Sequence, residues 1–186
     1  MPTEIEINNY YVNPLGYIRG LYTQTSSSTP VTNTIVETSL LDGGVGSLTV
    51  PANGFKVGDS FHAIATGHIS ANNNNTLRIR IKTNGTSLAD TGVITMGGTT
   101  NKHWKLEVFF TLRTTGVSGV ASIATGGTFM YTKNASSTFE GTNFSTETTT
   151  GFNTTINNTL VITAEWGTAS TSNSIYSEIF TLTKTY

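Results

Sequence analysis

The chain has no cysteine, very little charge and no long apolar run. Without cysteine there are no disulfides, no thiolate zinc sites and no cysteine nucleophile. Asp, Glu, Lys and Arg make up only 11% of the residues, against about 25% in ordinary soluble domains. The net charge of −1 argues against nucleic acid as the main partner, because phosphate binding needs a clear cationic excess. No stretch is long enough to span a bilayer, and MPTEIEINNYYVNPLG lacks the basic and apolar regions of a secretory leader, so neither membrane insertion nor signal-directed export is expected. Helical periodicity is almost absent too.

Threonine, at about a fifth of the chain, replaces the charge, followed by serine, asparagine and glycine. Threonine is β-branched and suits a pleated, half-exposed surface. A surface of hydroxyls and amides can dock on copies of itself without desolvating many charges. At 186 residues the chain can build one domain with a core that needs no cross-links.

Alternating runs between turn residues predict strands at about 33–41, 46–50, 59–70, 76–83, 93–96, 103–114, 118–132, 159–167 and 174–185, after an N-terminal piece around 17–23. The turns are Asp42-Gly43-Gly44, Pro51-Ala52-Asn53-Gly54, the run Asn72–Asn75, Asn84-Gly85, Gly97-Gly98 and Gly126-Gly127. Residues 133–158 read as the longest loop, with a short strand near Phe139 or Phe144, and TQTSSSTPVTN as a linker. The expected fold is all-β: a two-sheet antiparallel sandwich of jelly-roll type over residues 31–186, preceded by an anchoring segment and linker, 1–30.

Two strands have one wet and one dry face. From His103 to Arg113, Trp104, Leu106, Val108, Phe110 and Leu112 oppose a polar row broken only by Phe109. In TLRIRIK, Leu77, Ile79 and Ile81 oppose Arg78, Arg80 and Lys82. These three cations are the only ligand-facing candidates, for an anion; a solvated or salt-bridged face, with Glu107 as a partner, is the plainer reading. Other strands read as apolar on both faces: 61–69, where Ile64 lies opposite Phe61; 120–131; and 175–186, where Ile175 and Ile179 oppose Tyr176, Phe180, Leu182 and Tyr186. A second apolar face needs a second cover, and a neighbouring copy supplies one. Phe61, Ile64, Ile175, Tyr176, Phe180 and Tyr186 are therefore expected in core or intersubunit contacts.

Nothing in the sequence points to catalysis. His62 and His68 share a strand face about 20 Å apart, too far to chelate one metal. Glu165 beside Trp166 is the best candidate for a glycosidase carboxylate, yet alternation puts the two on opposite faces. No nucleophile-elbow, metalloprotease, P-loop or dinucleotide pattern occurs. Asn-x-Ser/Thr triplets, from Asn74 to Asn157, are no more frequent than so much Ser and Thr produces by chance. No cofactor is expected.

SLLDGGVGSLTVPANGFKVGDSFHAIATGHIS, TLRIRIKTNGTSLADTG and TLVITAEWGTASTSNSIYSEIFTLTKTY together resemble a group of uncharacterised structural proteins of tailed phages and large DNA viruses. The resemblance covers about 33–186 and rests on turn and strand signatures: LTVPAN leading to VGDSF, and TAEWGTAS leading to the last strand. It implies a jelly-roll virion component, a homotrimer attached to capsid or tail proteins through its N-terminal segment. The closing strand is similar to that of trimeric jelly rolls of the tumour-necrosis-factor type, where it packs near the three-fold axis. The expected function is non-enzymatic: capsid decoration or a fibre head on the virion surface. The alternative is a receptor-recognition module that binds host glycans through loop Asn and Thr and aromatics such as Trp166 and Tyr131.

Overall fold

The computed structural model describes residues 19–134 and 138–186. They form fourteen strands: β1 (Arg19–Gln24), β2 (Val31–Thr32), β3 (Thr38–Ser39), β4 (Gly44–Gly46), β5 (Thr49–Val50), β6 (Ser60–Ala71), β7 (Thr76–Thr83), β8 (Thr86–Asp90), β9 (Ile94–Thr95), β10 (Thr99–Thr114), β11 (Ser122–Thr132), β12 (Phe139–Thr148), β13 (Asn158–Trp166) and β14 (Ser174–Lys184). One sheet runs β12-β11-β10-β6-β14-β1-β4 with β2 added on β14; the other runs β3-β13-β7-β8 with β5 on β13 and β9 on β7. All pairings are antiparallel. β6 and β7 are consecutive but lie in different sheets, as do β13 and β14; β6 pairs with β14 while β7 pairs with β13. Two strand pairs thus cross between the sheets side by side, and the result is a jelly-roll-like sandwich.

The core comes from alternation. β10 buries Trp104, Leu106, Val108, Phe110 and Leu112, β7 buries Leu77, Ile79 and Ile81, and β6 buries Phe61, Ala63, Ala65 and Ile69. Asn84 and Gly85, both at positive φ, make the tight β7–β8 turn that an Asn-Gly pair favours.

Several expectations change. Gly126-Gly127 is not a turn: both glycines lie inside β11, paired with Phe109 and Val108 of β10. The 33–41 segment is not one strand, because its hydroxyls compete for the backbone: Thr34 accepts from Val36 N–H at 3.0 Å and Thr38 donates to Val36 O at 2.9 Å, with Asn33 at φ 49°. The 133–158 loop contains ten-residue β12, an edge strand paired with β11 along its length. Edge strands keep polar outer residues, so FEGTNFSTET carries little strand signal. β8 was too short and small-residued to be foreseen. Finally, the domain boundary at residue 30 does not hold for the described part of the anchor and linker. β1 pairs with both β14 and β4, and Gln24 and Ser28 are buried. Ser28 N–H donates to Ser177 O at 2.8 Å, and Ser177 N–H donates to Ser28 Oγ at 2.9 Å. Residues 19–30 are therefore stitched into the sandwich; the remainder of the predicted anchor, 1–18, lies outside the described residues.

A bulge in β14 corrects the faces of the last strand. Ser177 pairs with Gly67 but Ile179 pairs with Thr66, leaving Glu178 as the extra residue. The inward phase therefore shifts by one. Ile175 and Ser177 point inward before the bulge, Phe180 and Leu182 after it. Ile175 and Phe180 are both fully buried, on the same side, whereas strict alternation had put them on opposite ones.

Candidate functional site

The cationic row lies on the outer face of the smaller sheet, and carboxylates from three other segments converge on it. Arg78 makes paired hydrogen bonds to Asp90 at 2.9 and 2.5 Å. Arg80 reaches Glu165 at 2.5 Å and Glu37 at 3.1 Å. Lys82 bonds Glu37 at 3.0 Å. The register sets this up: Arg80 lies opposite Asp90 on β8 and Thr163 on β13, and Arg78 opposite Glu165. Partial burial pushes the Glu37 carboxyl up, but the Thr163 hydroxyl, Lys82 and Arg80 outweigh it and hold it below the ordinary carboxylate range. Asp90 behaves alike: burial opposes, while Arg78, the Gly92 N–H and Arg80 prevail. Three cations meet three carboxylates, so the row presents no excess charge to an anion. Glu107, the partner expected from sequence, is in the other sheet.

The outer face of the larger sheet is different. All three histidines lie on it, on β6 and β10, and His103 sits directly across from His68. Sequence spacing along β6 could not reveal that pair. His62 Nε2 is 2.9 Å from Glu107 and its ring stacks on Phe109, centroids 4.4 Å apart. Lys105 and His62 hydrogen-bond Glu107 and hold it below the ordinary carboxylate range despite some desolvation. His68 Nδ1 is 3.1 Å from Glu178, the bulge residue. Among these paired polar groups stand Phe109 and Ile179, 54% and 56% exposed, with half-buried Ile64 and Tyr176 beside them. Of the expected contact residues, Phe61, Ile175 and Phe180 are core, Ile64 and Tyr176 face outward, and Tyr186 is exposed near Gly58. Among the described residues, no group of three or more His, Asp or Glu could hold a metal ion.

A third feature had no sequence signal. At one end, where β1 and β14 of the larger sheet face β5 and β13 of the smaller one, the layers leave a cleft of about 390 Å³. Leu48, Val50, Phe55, Leu88 and Phe152 supply apolar walls, while Arg19, Asp59 and Lys184 line it as its charged members.

Two aromatics considered for glycan contact are core residues. Trp166 is fully buried and donates to Val31 O at 2.9 Å. Tyr131 is fully buried; its hydroxyl donates to Glu140 and accepts from Gly97 N–H at 2.7 Å. Burial and the Glu140 carboxylate push the Tyr131 phenol up to about 12. A raised phenol contributes stability that is complete below the ordinary value near 10 and disappears as pH climbs through 12. Ultraviolet titration should show a tyrosine step near pH 12, coincident with alkaline unfolding, and Tyr131→Phe should remove that step. Glu165 and Glu107 point outward from opposite sheets, so they do not form the carboxylate pair of a glycoside hydrolase.

No family model matches this chain, and neither a curated protein nor a solved structure does.

Proposed function

We propose that this chain is a non-enzymatic structural component of a virus particle, a homotrimeric sandwich that decorates a capsid or heads a fibre and attaches through its N-terminal segment to capsid or tail proteins. One observation carries the assembly: the outer face of the larger sheet. Phe109, Ile179, Ile64 and Tyr176 expose apolar surface there, and the neighbouring charges are already paired within the chain through Glu107 and Glu178. A copy of the same molecule covers such a face without stranding unpaired charge. The low charge content and the resemblance described above support the same reading. The sandwich supplies rigidity, and its tip loops, including the Asn72–Asn75 turn, are what the particle presents outward.

Sedimentation at micromolar concentration should give the mass of three chains. Phe109→Glu and Ile179→Glu place a charge where the apolar contact forms, and each should weaken assembly by about thirtyfold or more, the range of an interface hot spot. Both side chains are over half exposed, so the circular dichroism of each chain should not change. A stable wild-type monomer would remove the assembly claim. Labelling this chain on purified particles checks the virion placement separately.

A further inference from the structure

We infer that the cleft between the sheets is a binding site for an uncharged aromatic hydrocarbon of about two rings, held between the layers. The site is separate from the assembly face, which lies on the outside of the larger sheet. Phe61, Phe110 and Leu182 of the larger sheet line it against Val50, Leu88 and Leu160 of the smaller one. At about 390 Å³ the cleft falls within the range of small-molecule sites, roughly 300–1,000 Å³. An apolar cavity of about 150 Å³ takes one benzene ring, so a pair of fused rings fits here. The walls are themselves aromatic. Phe55 stands edge-on to Phe61 and Phe152, with centroids 6.0 and 5.9 Å away, and a flat ring system extends that edge-to-face set.

The polar lining decides the charge of the ligand, because each polar side chain in it already has a partner within the chain. Ser47 Oγ donates to Thr49 O at 3.1 Å and accepts Thr49 N–H at 3.0 Å, while the Thr49 hydroxyl bonds that of Thr159 at 2.7 Å. Thr83 Oγ1 donates to Asn158 Oδ1 at 3.2 Å, and both Asn158 amide hydrogens go to the Asn153 and Ile156 carbonyls at 2.8 and 2.9 Å. Lys184 and Asp59 form a neutral pair at 2.6 Å, and the second Asp59 oxygen accepts Lys56 N–H at 2.9 Å. Arg19 has a partner too. A carboxylate or an ammonium entering the cleft would shed water and meet no free counter-charge. The lining therefore favours a ligand with no charge of either sign.

The test titrates the full chain against naphthalene, followed by ligand fluorescence, with 1-naphthoate and 1-naphthylmethylammonium as the charged counterparts. Naphthalene should bind saturably, one to one, and each ion at least about tenfold more weakly. Nuclear Overhauser contacts should run from the naphthalene protons to the Phe55 and Phe152 rings. Val50→Trp, which fills the cleft, should abolish binding; should that variant fold poorly, the wild-type contacts supply the same information. Asp59→Asn frees the Lys184 ammonium, and should tighten naphthoate about tenfold while leaving naphthalene unchanged. No saturable naphthalene binding, an ion held as tightly as naphthalene, or ring contacts elsewhere overturns the inference. So does an Asp59→Asn variant with no gain for naphthoate. A cleft filled in solution by residues 1–18 or by a second copy would appear as the first of these outcomes.

Discussion

Trp104→Ala should lower the unfolding free energy by about 3–5 kcal/mol, the cost of removing a fully buried large aromatic. The indole does more than fill volume. It lies across from Gly67, and its N–H is shared between His68 O at 3.2 Å and Tyr176 O at 3.0 Å. Tyr176 immediately precedes the β14 bulge, so the tryptophan ties β10 across β6 to the irregular part of β14. Gly67 makes the approach feasible. A Cβ there would sit 2.0 Å from Tyr176 O and 2.8 Å from Ser177 Cα, and backbone atoms cannot rotate away. Gly67→Ala should therefore cost about 1–3 kcal/mol as an overpacked site. Trp104→Phe separates the two effects: it keeps most of the packing but loses the donor, at about 1–3 kcal/mol. Chemical denaturation of the three variants gives the order directly. A Trp104→Phe variant as stable as wild type would show that the indole N–H is not holding the bulge.

Arg80→Ala should destabilise by about 2–3 kcal/mol near neutral pH, less than the loss of a fully buried ion-pair partner because the site is partly hydrated. Its side chain is only 15% exposed and faces Glu37, Asp90 and Glu165 together. Removing it leaves three carboxylates to share Arg78 and Lys82. The pH dependence makes the test specific. Glu37 and Asp90 have folded values depressed below their ordinary 4.5 and 3.8. Depressed carboxylates contribute stability that is present above those ordinary values and lost as pH falls through the folded ones. Wild-type stability should thus drop below about pH 4.5, and the gap between wild type and Arg80→Ala should close over the same range. Melting curves from pH 7 to 3 measure both. A gap that stayed constant with pH would mean that Arg80 acts through packing of its aliphatic stem alone.

The features legible in the sequence are those carried by a two-residue period. HWKLEVFFTLR shows its buried row, and even its exception: Phe109 was the one apolar residue read on the wet face, and it is exposed. TLRIRIK shows its faces equally well, and Asn84-Gly85 its turn. The sequence did not show where strict period fails or where segments meet. The bulge at Glu178 inverts the faces of the last strand, and no local signal in IYSEIF announces it, because its cause lies in Trp104, Gly67, Gln24 and Ser28, all far away in the chain. The carboxylates that meet the basic row come from positions 37, 90 and 165, and only the pairing of β7 with β8 and β13, together with that of β13 with β3, selects them over Glu107.

The sequence by itself determined an all-β sandwich, its main core strands and a surface poor in charge, since alternation and composition are local properties that each residue carries with it. Tertiary structure alone decided that the cations are neutralised, that the linker is built into the sheet, that the histidines share one face and that a cleft opens between the layers. Those depend on which strands become neighbours, and pairing between distant segments is settled by the collective packing of both sheets.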